Sequence, residues 1–365
     1  MTWAEYGEGL EDRLIDLHGR VHRGSYRAQP SLRTYILKTD GRKRSLGIAA
    51  LEDKIVQLAV VWVLQVVYEE DFLGFSYGFR PGRSQHGALD AVWVAIMQRK
   101  VNWVLDADVR GFFDSVSHKW MEEFVAHRIG DQRILRLIHK WLTVGVSEDG
   151  KWSSTVVGTP QGATVSPLLA NVYLHYVLDL WVEGWRKRHA RGEVYIVRYA
   201  DDFVMGFQHR DDAEAFQYAL EQRMKKFGVE LNTEKTRLIE FGRFAIDNRA
   251  KRGDGKPETF DFLGFSHICA SRRKDGRFTV LRRTIAERFR TKVRNVTQEL
   301  KRRRHEPLSE QGKWIRSVVR GYFNYHAVPG NYHTLDQFKT LIARAWLRAL
   351  RRRSHKGRGL TWARM

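Results

Sequence analysis

The sequence predicts an α+β protein in which an antiparallel sheet backed by helices is followed by an all-helical, strongly basic region. Three observations carry that prediction. Val194, Tyr195, Ile196 and Val197 precede Tyr199-Ala200-Asp201-Asp202, and Phe203, Val204, Met205, Gly206 and Phe207 follow it, so two β-favouring runs meet at an acidic break, as in a β-hairpin. Upstream, Trp103, Leu105, Ala107 and Val109 alternate with Asp106 and Asp108, which share the opposite face of a second strand. Beyond Arg272 the apolar residues switch to helical spacing. Residues 271–365 hold 26 Lys+Arg against 6 Asp+Glu, whereas the first 270 residues are nearly balanced at 37 and 36.

At 365 residues the chain exceeds the usual size of a single core, so two or three subdomains are expected. A hydrophobic content of 43% fits a globular protein rather than a disordered one. The net charge of +21 is concentrated in the last quarter and interleaved with aromatic residues, which suits a surface that tracks a nucleic-acid backbone; a solvated basic face or attraction to anionic lipid is the alternative. Cys269 is the only cysteine, which excludes a disulfide framework and a cysteine zinc cluster and fits a reducing compartment. The N-terminus lacks the charged-then-apolar layout of a secretory signal. Ile55 to Val67 is interrupted by Gln57 and Gln65 and falls short of the ~20 residues of a membrane span, so a cytoplasmic location with no membrane partner is expected.

Asp201 and Asp202 by themselves could be ordinary turn residues, because Asp tolerates turn geometry. A strand carrying Asp108 beside a hairpin tipped by two more carboxylates makes an oxygen-rich site instead. Such a site suits hard Mg2+ ions, with Mn2+ as a substitute, in the two-metal layout for in-line phosphoryl transfer.

Seven stretches in order carry a resemblance: RSLGIAALEDKIVQ from Arg44, FSYGFRPGRSQHGAL from Phe75, the Asp108 strand, GTPQGATVSPLLANVYL from Gly158, the Tyr199-Ala200-Asp201-Asp202 hairpin, LNTEKT from Leu231 and FDFLGF from Phe260. The chain resembles the bacterial group II intron reverse transcriptase/maturase family. That resemblance implies a right-hand polymerase: fingers with some palm elements over residues 1–100, a palm with inserted finger helices over 101–270, and a helical thumb or maturase domain over 271–365. It implies an RNA template, a DNA or RNA primer and dNTPs as partners, structured intron RNA as a further one, and a nucleoid-associated bacterial location. Relative to the family pattern, the chain is expected to be short at its N-terminus and to lack the cysteine-paired C-terminal endonuclease.

Taken in order, Leu10, Leu14, Leu17 and Val21 predict an amphipathic helix that Gly24 ends, and Tyr35 to Ile48 a basic hairpin. The resemblance assigns Lys38 and Arg44 to the incoming triphosphate; an exposed basic turn is the plainer reading. Ala49 to Glu70 predicts a long, mostly buried helix. Phe75 to Arg83 is a glycine-rich loop in which Arg80 is the candidate substrate or template contact, and Ser84 is expected to cap the next helix. Asp108 and Asp201 are assigned as bridging metal ligands, with Val109 and Asp202 completing that site, while Asp106 and Asp114 match no catalytic position. Phe113, five residues beyond Asp108, matches the bulky gate under the nucleotide's 2′ carbon that selects dNTPs; core packing is the alternative.

Two helices are expected around Trp120–Ile129 and Ile134–Val144. Gln161 in the Gly158–Gly162 loop is assigned to the nascent base pair, and Ser166-Pro167 reads as the N-cap and first residue of a helix. Asp211 begins another helix, and the resemblance gives Lys235 the role of proton donor to the leaving pyrophosphate. Phe260 to Phe265 reads as one strand, with Phe262, Leu263 and Gly264 as the primer grip. Thr284 with Glu287 predicts a capping box, followed by three amphipathic basic helices. A non-catalytic RNA-binding maturase, or a domesticated relative serving phage defence or spacer acquisition, is the alternative function.

Overall fold

Thr2 and Glu5 cap each other, the Thr2 hydroxyl accepting from the Glu5 N–H and the Glu5 carboxylate from the Thr2 N–H, and this box starts α1 (Trp3–Gly7). The computed structural model describes residues 2–37, 43–154, 157–159, 162–354 and 359–361. In chain order there follow α2 (Leu10–His22), β1 (Ser31–Leu37), β2 (Lys43–Ile48), α3 (Leu51–Glu69), α4 (Gln85–Gln98), β3 (Trp103–Ala107), α5 (Phe112–Ser115), α6 (His118–Arg128), α7 (Gln132–Thr143), β4 (Val146–Glu148) and β5 (Lys151–Ser153). Next come α8 (Ser166–Leu174), a π-helical turn (His175–Asp179), α9 (Leu180–Arg188), β6 (Val194–Tyr199), β7 (Asp202–Phe207), α10 (Arg210–Lys226) and β8 (Arg237–Glu240). The chain then forms α11 (Ala245–Arg252), β9 (Phe260–Phe262), β10 (Phe265–Ser271), β11 (Phe278–Thr284), α12 (Ala286–Arg302), α13 (Leu308–His326) and α14 (Tyr332–Arg351). Two compact units result: Met1–Ala95 with Trp103–Ile239, and Ile96–Asn102 with Glu240–Met365.

Among the described residues the first unit contains two four-stranded sheets. One has the order β2-β1-β4-β5, with β1 antiparallel to β2 and parallel to β4. In the other, of order β6-β7-β3-β8, β7 runs antiparallel to both β6 and β3, as expected from the alternating strands. Its register runs from Trp103↔Phe207 to Ala107↔Phe203, and Tyr199 faces Asp202 across the hairpin. Leu105, Phe203, Met205 and Phe207 sink into a core shared with Leu169, Tyr173, Phe216 and Leu220 of the backing helices. Gln57, which interrupts the apolar run of α3, is buried because its side-chain oxygen accepts from the Thr164 N–H at 2.9 Å and so fixes the chain just before α8. The rest of α3 departs from expectation: Trp62, Val63 and Val66 are exposed. Helical spacing shows an apolar run but not how many faces are covered.

In the second unit β9, β10 and β11 form a sheet of order β11-β10-β9. Phe338, Ile342 and Ala345 of α14 pack against Val296 and Leu300 of α12 and Tyr322 of α13. The longer segment of this unit begins at Glu240, and β10 and β11, which lie on either side of residue 271, pair within it along their whole length from Phe265↔Thr284 to Ser271↔Phe278. Phe260 to Phe265 is a tight hairpin rather than one strand. Leu263 and Gly264 both have positive φ, 48° and 83°, as a two-residue primed turn requires. The expected capping box is also absent: Thr284 ends β11, its backbone N–H and hydroxyl are engaged with Asn331, and Ile285 is the N-cap of α12. Val165, not Ser166, is the N-cap of α8. No helix of the described residues is long and apolar enough to cross a membrane.

Candidate active site

The site is built where β3 ends beside the β6–β7 hairpin. Ala107 pairs with Phe203, so the next residues along the two strands are Asp108 and Asp202, while Asp201 lies in the two-residue turn that joins β6 to β7. β3 then changes partner. Val109 bridges Leu231, the Asn232 N–H donates to the Asp108 carbonyl at 2.7 Å, and the Arg110 N–H donates to the Glu230 carbonyl. The LNTEKT segment is thereby folded over Asp108, and two of its side chains reach the carboxylate: Asn232 Nδ2 and Lys235 Nζ each lie 3.1 Å from Oδ2. Asp108, Asp201, Asp202, Val109 and Lys235 thus belong to one neighbourhood at the end of this sheet. Asp106, two residues back on β3, pairs with Arg237 of β8, in keeping with a structural role.

Under the hairpin the backbone is strained and closely packed. Ala200 has φ 57°, a left-handed conformation that a residue with a Cβ avoids, and it is buried. Gly78 makes this fit possible, since a Cβ there would stand 2.3 Å from the Ala200 nitrogen. The FSYGF stretch runs beside β6: Tyr77 N–H donates to the Arg198 carbonyl and Arg198 N–H to the Phe75 carbonyl. Arg198, Asp179, Asn171 and Ser76 make a buried polar cluster there that the sequence reading did not single out. The available signal was an arginine in an otherwise apolar strand, two residues before the turn.

Phe113 is half-buried on the second residue of α5, edge-on to the fully buried Phe112 at 5.4 Å. Its carbonyl accepts from the Thr159 N–H at 2.7 Å, and His118 Nε2 lies 2.6 Å from the Gly158 carbonyl. Gly158, with φ 92°, sits so close that a Cβ would approach the Phe113 carbonyl oxygen to 3.0 Å. The Phe113 turn and the start of the Gly158 loop are therefore one mechanical piece. Lys38 and Gln161 lie outside the described residues, and Arg44 is placed by its backbone, opposite Ile36.

Arg80 is a correction. Its guanidinium is buried, salt-bridged to Glu69 at 2.9 Å, bonded to the Leu73 and Ser76 carbonyls at 2.8 Å each, and stacked over Phe72. A guanidinium so fully engaged anchors its loop and has no donor to offer a substrate. Phe262, Leu263 and Gly264 occupy the β9–β10 hairpin of the second unit. The Leu263 carbonyl accepts from the Tyr325 hydroxyl at 3.0 Å and the Gly264 carbonyl from the Ile285 N–H.

The first unit's site offers carboxylate oxygens, hard donors that fit Mg2+ or Mn2+. Among the described residues no group of three or more His, Cys, Asp or Glu side chains forms a ready-made metal cage. This is compatible with Mg2+, which binds through one or two carboxylates and completes its shell with water and substrate phosphate.

The profile of the reverse transcriptase (RNA-dependent DNA polymerase) family matches residues 36–267. Protein YkfC of Escherichia coli (strain K12) is 32% identical over 285 residues, 67% of this chain and 72% of that protein. Group II intron-encoded protein LtrA of Lactococcus lactis subsp. cremoris is 37% identical over 178 residues, 47% of this chain and 29% of LtrA, so the chain spans under a third of that relative. In fold, the chain is similar to telomerase from Candida albicans, with a TM-score of 0.53 at 11% identity over 90% of this chain and 60% of that one. The chain belongs to the reverse transcriptase family, among the relatives of the proteins that group II introns encode.

Proposed function

We propose that the chain is an RNA-directed DNA polymerase of the group II intron type. The observation that carries this reading is the β3–β7 ladder, whose last pair, Ala107↔Phe203, leads on the two strands into Asp108 and Asp202, beside Asp201 in the turn. In the proposed reaction the primer 3′-oxygen attacks the α-phosphorus of a dNTP, a new phosphodiester forms, and pyrophosphate leaves with the cleaved bond. Asp108 and Asp201, supported by Asp202 and the Val109 main chain, would hold two Mg2+ ions, which when bound would activate the attacking oxygen and neutralise the leaving group. Lys235 supplies a proton to the pyrophosphate. Phe113 lies under the sugar and leaves neither room nor a hydrogen-bond partner for a 2′-hydroxyl. The family resemblance assigns Lys38 and Arg44 to the triphosphate, Gln161 to the nascent base pair and Phe262 to Gly264 to the primer end.

Primer extension on an RNA template in Mg2+ tests the reading, comparing dNTPs with rNTPs and wild type with Asp201→Ala. Incorporation of dNTPs alone, abolished in Asp201→Ala, is the expected result. A wild type that extends nothing, or an Asp201→Ala protein that extends normally, overturns it.

The basic helical segment supports a second role, binding of structured intron RNA through phosphate contacts. Splicing assistance of that kind should persist in Asp201→Ala. Loss of both activities in that variant would tie them to one site.

A further inference from the structure

Arg198 is fully buried on β6 and all five of its N–H donors are used. Nε and Nη2 both reach the carboxylate of Asp179, itself completely buried. Nη1 donates to Asn171 Oδ1 and to the Ala200 carbonyl, each at 3.0 Å, and Nη2 also donates to Ser76 Oγ at 2.7 Å. Four acceptors belong to the surrounding scaffold. The fifth, the Ala200 carbonyl, belongs to the turn itself, on the peptide that leads directly into Asp201. Asn171 extends the hold by donating through Nδ2 to the Gly78 carbonyl at 2.7 Å, and Gly78 is the residue pressed against the Ala200 nitrogen. Asp179 closes the π-helical turn between α8 and α9. Such a turn offsets every later residue relative to an unbroken α-helix and recurs at functional sites.

A buried ion pair is weak evidence for stability, because packed apolar side chains of similar volume often serve as well. What an apolar pair lacks is a directed donor for the carbonyl of a strained turn. We propose that Arg198 is a positioning residue: its guanidinium, aligned by Asp179 and Asn171, pins the left-handed Ala200 peptide and so fixes where Asp201 and Asp202 stand. This rests on the reading of those aspartates as the polymerase site.

Arg198→Lys keeps the charge and loses the fork. In the full chain it should lower kcat for dNTP addition by about 10- to 100-fold with little change in KM, and weaken Mn2+ binding, followed by electron paramagnetic resonance without substrate, by about tenfold. Adding Ala200→Gly, which lets the turn take a positive φ without strain, should restore much of both. A merely structural role would give no such rescue. If Arg198→Lys melts below the assay temperature, Asp179→Asn, which keeps the shape and removes the charge that aligns the guanidinium, reads the same two quantities. Wild-type kcat and Mn2+ affinity in whichever of these variants folds, or no recovery with Ala200→Gly, overturns the proposal. If the wild type itself extends no primer, the polymerase reading fails separately, and Mn2+ affinity decides the positioning claim.

Discussion

Lys235 Nζ stands 3.1 Å from Oδ2 of Asp108, the same carboxylate oxygen that accepts from Asn232 Nδ2. The lysine is about half exposed, so the pair adds little to stability. The pair places a half-exposed ammonium beside the carboxylate. Lys235→Ala is expected to leave the melting temperature unchanged and to cut single-turnover incorporation by about 100-fold, the scale of a lost general acid. A normal rate with a lowered melting temperature would make Lys235 a surface strut.

Phe113 rests on Phe112 with its carbonyl tied to Thr159, so its ring is presented by a fixed backbone. Phe113→Val should raise rNTP use relative to dNTP use by about 10- to 100-fold, as expected when a steric pocket is enlarged by a few methylenes. The measurement is kcat/KM for each nucleotide on one primer–template. Unchanged discrimination would assign the ring to packing.

Gly78 carries the closest backbone approach under the hairpin. Gly78→Ala should destabilise by about 1–3 kcal/mol through overpacking and lower primer extension, because the neighbour that must move is the Ala200 backbone. Gly74→Ala, in the same loop with open space around it, is the control and should be near neutral in both assays. Equal behaviour of the two variants would contradict the packing argument.

His267 is completely buried on β10, stacked face to face on Phe260 with 4.5 Å between ring centroids and opposite Arg282 on β11. Burial, and then the Arg282 charge, push its pKa down to about 3. The folded protein keeps this imidazole neutral, whereas the unfolded chain takes up a proton below about pH 6.5. Stability should therefore fall as pH drops from about 6.5 towards 3, by up to about 1.4 kcal/mol per pH unit from this group. His267→Phe should flatten that part of the curve, measured as urea midpoints between pH 7 and pH 4.5. Parallel curves for the two proteins would show that the group titrates freely.

Much of the candidate site was legible because it is short-range. Hairpin runs flanking Ala200-Asp201 and the alternation from Trp103 to Val109 are local patterns, and they predict both strands and which face each aspartate occupies. The Arg80 and Phe260–Phe265 readings failed for a related reason. Neither an arginine's partners nor the two-residue turn at Leu263-Gly264 leaves a periodic trace, so a loop arginine looks available and a hairpin looks like a strand.

By itself, then, the sequence determined the antiparallel strands, the order of the helices, the basic character of the last quarter and the identity of the acidic residues, all set by side-chain chemistry over a few neighbours. Only the tertiary structure decided that Arg198 would be buried against Asp179, that Lys235 would reach Asp108, and that Gly78 would support Ala200. These pairs are separated by 19, 127 and 122 positions in the chain. Desolvation and hydrogen-bond geometry act on groups that only folding brings together, and no local pattern of residues encodes their meeting.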